Sequence, residues 1–139
     1  INYLKHTSPA IIFSASPTPS SCAATLAALD VLEEQPELVV KLKENSDYMR
    51  KGFHEMGFNI IDGESAIIPV IVGELEKALV TWKHLYDKGI FVNAFIPPGV
   101  PPNMSMMRTS YMATHEKWHL DRILEAFHEV AEELHFIKK

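Results

Sequence analysis

A chain of 139 residues, 47% hydrophobic and 22% charged, has the length and apolar content to bury the core of one globular domain. Its formal net charge of -5 argues against a nucleic-acid binder, which presents a basic face, and no run of about 18 apolar residues is present to span a membrane as a helix. One cysteine, Cys22, excludes an internal disulfide and suits a reducing cytoplasm; the opening residues carry neither an initiator Met nor a signal peptide and read as a cut through a longer chain.

Proline clusters mark the breaks between elements. Pro17-Thr18-Pro19 precedes a helix expected over 20–34, with Thr18 or Ser20 as its cap. That helix carries Ala23, Ala24, Leu26, Ala27, Ala28, Leu29, Val31 and Leu32 and is apolar nearly all round, so burial on several sides, partly by another domain or subunit, is expected. Pro36 opens a second helix in which Leu38, Leu42, Met49, Phe53 and Met56 form a stripe, with Gly57 placed to cap it. Residues 58–61 and 66–72 are rich in Ile and Phe or Val and read as strands, and Pro69 within the second favours an edge or a strand start. Leu75, Ala78, Leu79, Trp82, Leu85 and Tyr86 define a third helix ending at Gly89. A strand over 90–95, the stiff loop 97–102, a strand over 105–112 and a helix over 117–137 complete the chain.

Strand, helix, strand in succession implies a parallel crossover, while the strands flanking the proline loop can pair antiparallel. The expected fold is α+β: a small mixed or antiparallel sheet covered by helices on one side.

Alternation in the strand over 105–112 places Met106, Arg108, Ser110 and Met112 on one face, and Met107, Thr109 and Tyr111 on the other. Arg108 thus stands among apolar residues in a segment that reads as buried. An unpaired buried charge is very costly, so its guanidinium needs an anion, and its planar fork suits a carboxylate. Two readings stay open from the residues alone. The anion is one of the 18 acidic side chains, or it is a substrate carboxylate at the rim of a cleft formed partly by the proline loop.

Residues 89–115, with Val92-Asn93, Pro98-Gly99-Val100-Pro101 and Met112-Ala113-Thr114-His115, resemble the C-terminal signature of the α-oxoamine synthases. These are pyridoxal-phosphate enzymes of the aspartate-aminotransferase fold type. Phe13-Ser14-Ala15-Ser16 before the Ala-rich helix, and Ser65-Ala66-Ile67-Ile68-Pro69-Val70, agree in order and spacing. Within the family the serine palmitoyltransferase branch looks most similar, with 8-amino-7-oxononanoate synthase and 2-amino-3-ketobutyrate CoA ligase as near neighbours. The resemblance implies that residues 1–19 connect from a large domain and that 20–139 form the C-terminal small domain. It implies that Arg108 binds the α-carboxylate of an amino acid, that Ser14 and Ser16 reach the cofactor phosphate across a homodimer, and that His115 supports the arginine strand. Its reaction is the decarboxylating condensation of serine, alanine or glycine with an acyl-CoA, with pyridoxal phosphate as electron sink.

The departures matter. The family's Schiff-base lysine segment, the aspartate partner of the pyridine nitrogen and the histidine that stacks on the ring are not found in this sequence. None of its ten lysines has a comparable setting, so this chain by itself is expected to be inactive and to bind no pyridoxal phosphate through lysine. A non-catalytic carboxylate-binding or dimerisation module remains the alternative. His115-Glu116-Lys117-Trp118-His119 also matches H-E-x-x-H, the zinc-hydrolase pattern. Charged Lys117 between the histidines, Arg122 and Glu125 where further zinc-site residues would stand, and a position at a helix start argue against it; Thr114 or His115 is expected to be a cap there. His54, His84, His128 and His135 read as surface or boundary residues and Cys22 as a small buried side chain. Lys41, Lys43, Glu44, Asp47, Arg50 and Lys51 read as a solvated helix face.

Overall fold

The computed structural model describes residues 1–12 and 17–135. The chain divides into two units, Ile1–Pro36 and Glu37–Lys139. The first contains α1 (Asn2–Thr7), α2 (Pro9–Ile12) and α3 (Pro19–Glu34). Thr18 is the N-cap of α3, its hydroxyl accepting from the Ser21 amide at 3.3 Å, as one of the two expected caps. No residue of α3 is buried: Leu26, Leu29 and Leu32 are exposed, and so is Cys22, against the expectation of a covered thiol. The reason is local, since α1 and α2 supply only six and four residues, too few to build a core around an apolar helix.

The second unit holds α4 (Glu37–Glu55), β1 (Ile67–Gly73), α5 (Leu75–Asp87), β2 (Asn93–Phe95), β3 (Ser105–Ser110) and α6 (Lys117–Glu133). Two helix ends follow from glycine. Gly57 and Gly89 have φ of 79° and 81°, a left-handed conformation that a Cβ disfavours. Each lets the next amide reach back to the helix, Phe58 N to Phe53 O at 3.0 Å and Ile90 N to Leu85 O at 2.8 Å.

The sheet order is β1-β3-β2 and both pairings are antiparallel. β1 and β2 therefore run parallel across the α5 connection but never pair, because β3 lies between them. Residues 58–61 form only a single bridge, Ile60 to Val70, rather than a full strand; the Ile61 amide donates to the Pro69 carbonyl and the Ile71 amide to that of Asn59. Pro69 lacks an amide, so pairing with this outer segment stays short.

The two faces of the sheet differ. Ile68, Val70, Met107 and Thr109 are buried beneath the helices, joined in the core by Met49 and Phe53 of α4, Leu85 of α5 and Phe127 and Val130 of α6. Ile67, Asn93, Phe95 and Ser110 are exposed on the other face, with Pro69, Ile71, Met106 and Arg108 half-buried beside them. Helices on one face of a small antiparallel sheet are the expected α+β layer. Arg50, expected on a solvated face, is instead largely covered: its Nη2 donates to the Ser65 carbonyl at 3.0 Å and ties α4 to the loop before β1. Among the described residues no helix is long and apolar enough to cross a membrane.

Candidate functional site

Arg108 stands in the middle of the central strand, with Pro69 of β1 in register on one side and Asn93 of β2 on the other. Alternation puts it on the open face, not on the buried one that the apolar run of β3 suggested. Met107 and Thr109 take the core side and leave the arginine facing outward. Its Nε is buried without a hydrogen-bond partner, and its guanidinium carbon lies 4.8 Å from the centre of the Phe95 ring. The other two arginines pair with acids, Arg50 with Asp47 and Asp62, and Arg122 with Glu125 and Glu129. Among the described residues no carboxylate pairs with Arg108.

Two grooves meet at this side chain. One, of about 550 Å³, runs past Phe91, Asn93, Met112, His115, Trp118 and Ile123; the other, of about 520 Å³, passes Leu79, Trp82, Phe95 and Ile96. Their walls are mainly apolar and both are open to solvent on this face. The rim differs from expectation. Residues 97–102 line neither groove, and only Ile96, just before the proline loop, reaches the second.

The turn after β3 is clamped from α4. The Asn45 amide nitrogen donates to the carbonyls of Met112 at 2.9 Å and His115 at 3.0 Å, and Asn45 is only 4% exposed. Sequence reasoning passed over Asn45, although a polar residue between Leu42 and Met49 on an apolar stripe is a readable signal. Asn45→Ala leaves two carbonyls without their donor and should cost about 1–3 kcal/mol, read as a lower urea midpoint.

His115 turns its ring back on that clamp, its Nδ1 accepting from the Met112 amide at 3.3 Å. Partial burial first, and the neighbouring His119 second, hold its pKa below the ordinary histidine value. The folded state therefore binds fewer protons than the unfolded chain as pH falls through and below about 6.5. Stability present above that pH should be lost as pH falls toward the depressed folded value. His115→Gln should flatten this slope in denaturation curves taken between pH 7 and 5; an unchanged slope would count against the assignment.

The H-E-x-x-H residues do not form one helical face. α6 begins at Lys117 with Glu116 as N-cap, correcting the expected Thr114 or His115, so His115 lies before the helix. His119 Nδ1 accepts from the Glu116 amide at 3.0 Å, and Trp118 stacks on the ring with centroids 3.6 Å apart. Among the described residues no three His, Cys, Asp or Glu side chains are grouped to hold a metal ion. His54 pairs with Asp62, His84 with Glu133 and His128 with Glu132, all near the surface.

Ser14 and Ser16 lie outside the described residues. No lysine lines either groove. Lys43, Lys51, Lys83 and Lys117 pair one helical turn on with Asp47, Glu55, Asp87 and Asp121, and Lys88 pairs with Glu129 and Glu133.

A three-stranded antiparallel sheet backed by helices, with Arg108 in the middle of its central strand where two grooves meet and no acid paired with it among the described residues, defines a small α+β domain. The chain belongs to the aminotransferase class I and II family, whose model matches residues 1–127. It is 42% identical over 125 residues to a serine palmitoyltransferase of Bacteroides ovatus, covering 90% of this chain and 32% of that protein. It is 35% identical over 137 residues to an 8-amino-7-oxononanoate synthase of Thermoanaerobacter pseudethanolicus, covering 99% of this chain and 35% of the relative. The chain thus spans about a third of the length of the curated relatives it matches.

Solved structures agree in fold. Serine palmitoyltransferase of Sphingomonas wittichii superposes with a TM-score of 0.81 at 27% identity, covering 99% of this chain and 35% of that one. A serine palmitoyltransferase solved with its PLP internal aldimine gives 0.82 at 27% identity, covering 98% of this chain and 35% of that one.

Proposed function

We propose that this chain is the substrate-closing small domain of a pyridoxal-phosphate-dependent acyltransferase. The enzyme condenses serine, alanine or glycine with an acyl-CoA, releasing carbon dioxide and CoA to give an α-oxoamine. The observation that carries the reading is Arg108, an arginine without a carboxylate partner among the described residues, at the junction of two apolar-walled grooves on the open face. Family membership and the named relatives support the reaction class.

In this reading Arg108 receives the amino-acid carboxylate through the edge of its fork and fixes the substrate's orientation. Asn45 and His115 hold the turn at the end of β3, so the arginine strand keeps its register. Cofactor and lysine come from other parts of the enzyme; bound there, the cofactor supplies an electron sink for the bond-breaking at the α-carbon. In this reading the enzyme is a homodimer, and Ser14 and Ser16 serve the cofactor phosphate of the second subunit. Residues 1–19 are the connection from the large domain and 20–139 the small domain, and the enzyme works in the cytoplasm.

The test is to assay the longer protein that contains this chain, with serine, alanine and glycine each against short and long acyl-CoAs. CoA release dependent on one amino acid and on added cofactor is the expected result. The 139-residue chain alone should release none and give no reducible cofactor adduct on a single lysine. Failure of every pair in a protein that binds the cofactor would sink the acyltransferase reading.

A further inference from the structure

Phe95 was not singled out by the sequence, yet its ring lies against the Arg108 guanidinium. In register Phe95 faces Met106, and Arg108 faces Asn93, so ring and guanidinium are diagonal neighbours on one face of the β2–β3 pair. Diagonal side chains of this length meet across antiparallel strands. The guanidinium carbon stands 4.8 Å from the ring centre, and the ring remains 36% exposed. Nε is buried and unpaired, and among the described residues no acid pairs with the guanidinium. The ring quadrupole attracts the cation and also covers one face of it. A planar fork held against a ring keeps its N–H edge free for an in-plane, two-pronged carboxylate; a lysine ammonium has no plane to hold.

We infer that Phe95 is a positioning residue: it sets the plane of the Arg108 guanidinium so that the fork takes a substrate carboxylate edge-on. The inference rests on the reading of Arg108 as the carboxylate anchor. It assigns the ring a role in carboxylate selectivity that a residue serving only to pack the sheet would not have.

The experiment uses the longer protein, with Phe95→Leu, Phe95→Tyr and Arg108→Ala separately and Phe95→Leu combined with Arg108→Ala. Equilibrium affinities for L-serine, L-alanine and glycine are measured beside that for L-serinamide, together with the KM for acyl-CoA. Phe95→Leu should weaken the best-bound amino acid by about tenfold, the scale of a partly desolvated cation–π contact. It should leave the acyl-CoA KM in place and reduce the preference for serine over its amide. Phe95→Tyr should restore affinity and preference. In the Arg108→Ala background, Phe95→Leu should add nothing.

If Arg108→Ala weakens amino-acid binding and Phe95→Leu does not, the positioning role is overturned while the anchor stands. A Phe95→Leu effect that persists without Arg108 overturns it as well. If Arg108→Ala leaves amino-acid affinity unchanged, or no amino acid binds the parent enzyme, the anchor reading falls and this inference falls with it.

Discussion

Arg108→Ala is expected to weaken amino-acid binding to the longer enzyme by about 2–4 kcal/mol, roughly 30- to 700-fold, while acyl-CoA affinity changes little. The expected size comes from the surroundings. The groove walls are mainly apolar, and closure of the longer enzyme over them would desolvate the pair, so that a carboxylate held there interacts with the guanidinium more strongly than it would in solution. Stability should hardly move. Among the described residues no acid depends on Arg108, so removing it strands no buried charge. Arg108→Lys keeps the charge and loses the fork, and should recover only a minor part of the affinity. Isothermal titration of both variants, beside their urea midpoints, separates the possibilities. A large stability loss with unchanged affinity would make Arg108 a structural residue.

Much of this site was legible in the residue order. The period of two in β3 put Met107 and Thr109 opposite Arg108, and the structure keeps that division. The division did not say which face is open, because Met106 and Met107 are equally apolar. Only the helices covering Met107 decide that. The antiparallel β2–β3 pair was readable from the proline loop between two apolar runs. That β3 would insert between β1 and β2 was not, since a strand-helix-strand order says nothing of a later strand entering the gap.

The same limit accounts for α3 and for Phe95. Apolar residues on every side of α3 suggested burial on several sides, whereas no residue of α3 is buried in the structure. Phe95 reads simply as a strand residue; its meeting with Arg108 depends on a register between strands ten residues apart. Helix ends at Gly57 and Gly89 were legible because their cause is local, a left-handed residue that only glycine adopts at little cost.

Phe53→Ala should have the largest effect on stability, about 3–5 kcal/mol, against a total of about 5–15 kcal/mol for a typical domain. Phe53 is fully buried and meets Phe127 and Phe58 edge-on, with centroids 5.0 and 5.7 Å away. Phe58 and Phe127 also meet edge-on at 5.9 Å, so the three rings close one cluster joining α4, α6 and the segment after α4. Removing the central ring leaves a cavity and breaks two of its three contacts. Next to it, α4 and α6 are already in close contact: a Cβ added by Gly52→Ala would come within 2.6 Å of a Leu124 methyl. Phe58→Ala, at a half-buried position, should cost less. The variants also separate core from site. Asn45 clamps the turn beyond β3 from farther along the same helix, so Asn45→Ala should disturb amino-acid binding at a modest loss of stability. Phe53→Ala should do the opposite, lowering the urea midpoint sharply while the fraction still folded binds the amino acid as before. If Phe53→Ala weakened binding in the folded protein as much as Asn45→Ala does, the position of β3 would depend on the whole of α4 rather than on one clamp.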